Sequence, residues 1–204
     1  MSLREDAKKL YTSSLAKLDP SGTVFDYLSS NKIVSSNYNK IYPVAFGKAS
    51  ISMMSGFLDY LSKEFPGLPV HEKPVVVSNL SNEKINYNVD LHFSSHPIPD
   101  EKSIQAGDKV INYMSSSTDN DLVVFLISGG ASALLSKPPS SITLNDKTVL
   151  TDLLLKSGAS INEMNTVRKH MSDIKGGRLA NFANPSTCYS LIISDVINDD
   201  ISSI

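Results

Sequence analysis

Three observations predict an α/β fold built on a mainly parallel sheet. Apolar-rich runs of strand length recur at Ile41–Phe46, Pro74–Ser78, Leu122–Ile127 and Tyr189–Ile193. Stretches with helical spacing separate them, the pattern of parallel strands joined by right-handed crossovers. The third run is apolar at every position, as a central strand buried on both faces must be.

That run ends at Ser128-Gly129-Gly130-Ala131-Ser132. Its glycines permit a sharp turn and close approach by a ligand. The small residues after them can open a helix whose first N–H groups have no internal partner, and phosphate is the usual anion there. A tight strand-to-helix turn without a ligand explains the same residues, and on this segment alone both readings stay open. It is not a Walker A motif, because no Gly-Lys-Ser/Thr follows, nor is it GxGxxG.

Composition narrows the function classes. The 204 residues give room for one large α/β domain or two small ones. Apolar content of 41% and charged content of 20% are ordinary for a globular protein. A net charge of −2 gives no electrostatic case for nucleic acid or an anionic membrane surface. The single cysteine, Cys188, excludes an internal disulfide and fits a reducing compartment. Met1 to Asp6 lack the apolar core of a signal peptide. No apolar run approaches the ~20 residues that cross a bilayer. The expectation is a cytoplasmic protein that handles a small molecule and has neither nucleic-acid nor membrane partners; a homodimer is left open.

Along the chain, Leu10, Leu15 and Leu18 give Arg4–Leu18 an amphipathic helical pattern, ended by Asp19-Pro20. Ser21–Leu28 reads as a second short helix. The Asn-Lys-Ser-rich patches Ser29–Asn39 and Ser81–Asn88 read as solvated loops. Gly47-Lys48-Ala49-Ser50 closes the first strand, and Ile51, Met54, Leu58 and Leu61 mark one face of the next helix. Lys48 therefore stands at a strand carboxyl end, where open α/β sheets bind ligands and a helix N-terminus adds positive potential. By itself such a residue is more often a solvated loop lysine. Leu91–Ser95 reads as a shorter strand, followed by the stiff His96-Pro97-Ile98-Pro99-Asp100. His96 can contact a substrate, though an unpaired histidine more often bonds within its own loop. Asp100 caps a helix over Glu101–Met114, with Ile104, Val110, Ile111 and Met114 inward.

Leu144–Lys156 reads as a helix capped by Asn145. Ser160 and Glu163 form a capping box for a helix over Ile161–Ile174, whose Met164, Val167, Met171 and Ile174 make a core stripe. Lys175-Gly176-Gly177-Arg178 is a second glycine pair flanked by cations. The last strand runs into Asp195, Asp199 and Asp200, acids suited to a divalent cation or else an acidic surface loop. Asp195 has the placing of a Walker B-type aspartate. Zinc spacings and a nucleophile elbow are absent from the sequence.

Five segments together resemble the class II glycerate kinases, the type found beside the MOFRL domain. They are Ala45–Ser50, Ser95–Asp100, Leu126–Leu135, Asn162–Ala180 and Ser194–Val196, in that family's order. The resemblance implies a three-layer α/β/α domain with a mainly parallel, Rossmann-like sheet. It implies transfer of the ATP γ-phosphoryl group to the 2-hydroxyl of D-glycerate, with Mg²⁺, giving 2-phosphoglycerate. On that basis Lys48 and Asp195 are the catalytic candidates, and Asp195 is also the metal ligand. Ser128, Gly129, Gly130, Ala131, Ser132 and Lys175 would bind phosphate, and Arg168 and His96 would bind substrate.

Two positions depart from the family pattern: Ala131 and Asn198 stand where glycines are usual. A third departure is length. Members continue past the position of Ile204 into a Gly-Ser-Gly-Pro-like segment and a second domain. Residues 1–204 are therefore expected to be a truncated N-terminal Rossmann-like kinase domain without its second domain. Two rival functions remain: an NAD(P)-dependent oxidoreductase acting on hydroxypyruvate or tartrate, and a non-catalytic module binding a phosphosugar or nucleotide. The oxidoreductase would want GxGxxG and an acid ending the second strand, where Ser78-Asn79 stand instead.

Overall fold

The computed structural model of the chain describes residues 2–196. Five strands form one sheet: β1 (Ile41–Phe46), β2 (Val75–Ser78), β3 (Asp90–Phe93), β4 (Leu122–Ser128) and β5 (Thr187–Ile193). Their order is β3-β2-β1-β4-β5, and every neighbouring pair is parallel. This is the strand order of a doubly wound sheet, with its switch point between β1 and β4. β2, β1, β4 and β5, which hold the four expected runs, are neighbours, and β3 adds an edge strand. β1 and β4 align from Ile41 against Leu122 to Phe46 against Ile127.

The helices are α1 (Leu3–Lys17), α2 (Pro20–Asn31), α3 (Ser50–Glu64), α4 (Glu101–Met114), α5 (Ala131–Leu134), α6 (Leu144–Lys156) and α7 (Ile161–His170). A 3-10 helix follows at Arg178–Ala183. Strand residues alternate between faces, so each strand serves two cores. Ile41, Ala45, Val76, Leu122, Val124 and Leu126 pack under α2 and α3. Tyr42, Val44, Phe46, Val75, Val77, Val123 and Phe125 pack under α4, α5 and the 3-10 helix. The result is the expected three-layer α/β/α arrangement.

Several expectations need correction. α1 forms, held by a Ser2–Glu5 capping box, but Leu10, Leu15 and Leu18 are exposed rather than packed. Among the described residues no partner surface covers these leucines. α2 starts at Pro20 because Asp19 accepts from the N–H groups of Ser21 and Gly22, and it extends into the stretch expected as loop. α6 is capped by Thr143, not Asn145: the Thr143 hydroxyl accepts from the Asp146 N–H, and the Asp146 carboxylate accepts from the Thr143 N–H. On α4, Val110 and Met114 are buried, joined by Ala106 and Tyr113, whereas Ile104 and Ile111 are only half-buried.

α7 stops at His170 rather than Ile174. The Arg178 guanidinium donates to the carbonyls of Lys169 at 2.6 Å and Ser172 at 2.9 Å, which takes up carbonyls a longer helix would need. Met164 and Ile174 do reach the core, but Val167 points outward. The acids Asp199 and Asp200 and the substituted Asn198 lie outside the described residues.

Candidate active site

β1 and β4 end side by side, so their turns meet. Gly47 adopts φ +128°, and a Cβ there would fall 2.2 Å from Ser128 Oγ and 2.5 Å from the Ser128 carbonyl oxygen. Only glycine allows that contact. Two hydrogen bonds lock the turns: Lys48 N–H donates to Gly129 O at 2.9 Å, and Ala49 N–H donates to Ser128 Oγ at 3.0 Å. Ser128 is buried, and its hydroxyl oxygen fastens one turn to the other. The Ser50 hydroxyl donates to Val77 O at 2.9 Å and ties in the end of β2.

The remaining predicted residues converge on this junction. A Cβ on Gly129 would lie 2.2 Å from Asp195 Oδ2, so the carboxylate after β5 rests against the turn. A Cβ on Gly130 would lie 3.0 Å from the His96 ring and 3.2 Å from the Lys48 side chain. Lys48, His96, Gly129, Gly130 and Asp195 therefore surround one point at the sheet's carboxyl edge. Lys48 is exposed and has no ion-pair partner among the described residues. His96 is half-buried against the turn and makes no hydrogen bond to a described residue, contrary to the simpler loop expectation. The N–H groups of Gly130, Ala131 and Ser132 meet no acceptor among the described residues.

One feature tempers the turn as an anion site. α5 has four residues, too short for a substantial macrodipole. The charge must come from side chains. Gly130 has φ +86°, so a larger residue there would strain the backbone as well as fill the space. Ala131, unusual for the resemblance, is not among the positive-φ residues and opens α5 in ordinary helical geometry. Its methyl group costs the turn nothing in backbone energy.

The predicted cations gather beside α5. Lys175 Nζ donates to both Ser132 O and Ser132 Oγ at 2.6 Å, and Arg168 donates to Ser132 Oγ at 3.4 Å. Desolvation first, then Lys147 and Arg168, pull the Lys175 pKa down to about 7. Sequence reasoning missed Lys147 on α6, whose Nζ donates to Ser136 Oγ at 2.7 Å. Its pKa is also lowered, by desolvation and then by Arg168. Sequence reasoning also missed Asn79, just past β2, whose Oδ1 is buried with no hydrogen-bond partner. Arg178, in contrast, is structural, committed to the end of α7.

A lysine, an aspartate and open backbone amides thus stand together at the switch point of a doubly wound sheet, on its carboxyl edge. The chain belongs to the family described as domain of unknown function DUF4147, whose model matches residues 6–204. It is 37% identical over 211 residues to a glycerate 2-kinase of Pyrococcus horikoshii, covering 100% of this chain and 46% of that protein. An Agrobacterium vitis protein, named only provisionally as a hydroxypyruvate reductase, is 37% identical over 204 residues, covering 100% of this chain and 44% of that one. The crystal structure of a Thermotoga maritima glycerate kinase superposes with a TM-score of 0.81 at 33% identity, over 98% of this chain and 47% of that one. The chain thus spans about half the length of the curated relatives it matches. No helix among the described residues is long and apolar enough to cross a membrane.

Proposed function

We propose that residues 1–204 are the Rossmann-like domain of an ATP-dependent glycerate 2-kinase, and that this carboxyl edge is its phosphoryl-transfer site. The observation that carries the reading is the convergence of Lys48, His96 and Asp195 on the Gly129-Gly130 turn. The names of the Pyrococcus and Thermotoga relatives support it. In the reaction, the 2-hydroxyl oxygen of D-glycerate bonds to the γ-phosphorus of ATP, the bond to the β–γ bridging oxygen breaks, the hydroxyl proton is released to solvent, and ADP leaves. Such a transfer asks mainly for positioning and charge neutralisation. Lys48 supplies a mobile cation to the transferring group. The free N–H groups of Gly130, Ala131 and Ser132 supply donors. Asp195 orients the glycerate hydroxyl or serves as a metal ligand, and His96 lines the substrate side.

Among the described residues Mg²⁺ fits this arrangement in one way. Among the described residues no group of three His, Cys, Asp or Glu could hold a metal. Mg²⁺ commonly takes one or two carboxylates plus substrate phosphates, and Asp195 against Gly129 offers that single carboxylate. When bound there, the ion would neutralise phosphate charge.

The second reading, a nicotinamide-dependent hydroxypyruvate reductase, is favoured only by the name of the Agrobacterium relative. Against it, β2 ends in Ser78-Asn79 with no carboxylate for a ribose. A coupled assay with ATP and D-glycerate, with NMR assignment of the product, tests the proposal. The expected product is 2-phosphoglycerate. Formation of 3-phosphoglycerate would correct the regiochemistry, and NAD(P)H consumption with hydroxypyruvate in place of ATP turnover would sink the kinase reading.

A further inference from the structure

Three cations stand together beside α5, on elements outside the sheet. Lys147 is on α6, Arg168 on α7, and Lys175 in the turn that follows. All three are half-buried. Each meets a serine oxygen on one short stretch, Ser132 for Arg168 and Lys175 and the fully buried Ser136 for Lys147, and Arg168 also donates to Asn165 Oδ1 at 3.4 Å. No carboxylate among the described residues pairs with any of them, although Lys137 close by is paired with Asp108. Each raises the electrostatic cost of another: Arg168 acts on Lys147, and both act on Lys175. Like charges held together and partly desolvated, with only neutral hydroxyl and carbonyl oxygens as partners, are unfavourable until an anion completes the set.

We propose that Lys147, Arg168 and Lys175 form one polyanion site that takes the polyphosphate tail of a nucleoside triphosphate. The choice of nucleotide rests on the kinase reading; the anion site itself does not. Charge decides between the two substrates. Glycerate carries one carboxylate and would leave two cations unmatched, whereas a triphosphate carries several negative charges along its length. Arg168 is thereby moved from the hydroxy acid, where the resemblance places it, to the nucleotide. Ser132 links this site to the turn, because its N–H is one of the open donors and its hydroxyl meets Arg168 and Lys175.

The test uses inorganic tripolyphosphate as the probe, titrated calorimetrically into the chain alongside D-glycerate. Lys147→Met should weaken tripolyphosphate binding about tenfold, the loss of one charge-assisted contact, and leave glycerate binding unchanged. Lys147→Arg should restore most of the affinity. Lys63→Met, at the far end of α3, should change nothing. Arg168→Met lies on a different helix and should weaken binding as well, so it decides the matter if Lys147→Met fails to fold. Wild-type chain that does not bind tripolyphosphate overturns the site. So does Lys147→Met that binds like wild type, or one that loses glycerate instead. The two proposals separate cleanly. Lys147-dependent tripolyphosphate binding without any glycerate phosphorylation sinks only the kinase reading. Phosphorylation of glycerate with an unchanged KM for ATP in Lys147→Met sinks only the polyanion site.

Discussion

The junction of β1 with β4 and the cation-bearing face of α6 and α7 both border α5 but are built in opposite ways. At the junction, position is set by backbone. Gly47 touches Ser128, Lys48 N–H is fixed to Gly129 O, and the strands beneath are buried throughout β1. At the second region, charge is delivered by helices with little core of their own. α6 has no buried residue, and Leu153 and Leu155 on it are exposed. A phosphoryl-transfer site needs both: a frame that fixes where the reacting group sits, and cations that can move onto a ligand as it arrives. Substitutions should therefore separate: a side chain driven into backbone at the junction should break the fold, whereas changes at the helices should alter affinity alone.

The largest effect is expected at Gly47. Gly47→Val places a β-branched residue at φ +128° and drives its Cβ into the Ser128 backbone. Strain and overlap together should cost roughly 3 kcal/mol or more in denaturant unfolding. Gly129→Ala is the matched control. Its Cβ also falls 2.2 Å from another atom, but that atom is the tip of the exposed Asp195 side chain, which can swing away. Stability should change by less than about 1 kcal/mol, while turnover falls because Asp195 is displaced. Equal losses of stability at the two glycines would dissolve the contrast.

Lys48→Ala comes next and affects chemistry instead of folding. Lys48 is exposed, so its removal should leave the unfolding midpoint in place. Loss of a charge-assisted contact to the transferring group should cost roughly 3 kcal/mol in transition-state stabilisation, read as a fall in kcat for glycerate phosphorylation. A kcat within a few-fold of wild type makes the lysine a bystander.

How much of this was legible differs between the same two regions. The junction was readable because its signals are local: an unbroken apolar run, a Ser-Gly-Gly break, and a Gly-Lys step after another strand. The cation face was only half readable. Arg168 and Lys175 stand out by resemblance, but Lys147 lies in the Leu144–Lys156 helix without a motif to mark it. One signal was available: Lys147 shares its half-buried face with Leu144, Thr151 and Leu154, so a charge interrupts an otherwise inward stripe. The end of α7 could not be read locally, because Arg178 reaches back to Lys169 and Ser172 from beyond two glycines. Nor could the exposure of α1, whose leucines have helical spacing but no described partner surface.

A smaller effect follows from the depressed pKa of Lys175. Its amine loses its proton near pH 7, far below the ordinary lysine value of 10.5. Anion binding favours the charged form, so tripolyphosphate affinity should be highest below pH 7 and fall as pH rises through it. Binding should take up protons, which calorimetry in buffers of different ionisation enthalpy detects. The stability sign is opposite to that of a salt-bridged lysine. Between about pH 7 and 10.5 the unfolded chain holds the proton that the folded chain has released, so stability rises with pH across that window. Lys175→Met should remove both trends. An affinity flat from pH 6 to 9 would mean that this lysine stays charged or does not touch the anion.

The smallest effect is expected on α6 itself. Leu153 is 58% exposed, whereas Leu126 in β4 is fully buried. Leu126→Ala should cost about 2–5 kcal/mol, for lost burial plus the cavity left between two helical layers. Leu153→Gln removes a side chain that already faces water, and it should fall within about 0.5 kcal/mol of wild type. Tripolyphosphate affinity should also hold, since Lys147 lies on the half-buried face of the helix and Leu153 on the exposed one. A loss of more than about 1 kcal/mol would mean that α6 is packed as firmly as the sheet. The cations would then be fixed by the fold as rigidly as the glycine junction, and the division between frame and charge would have to be abandoned.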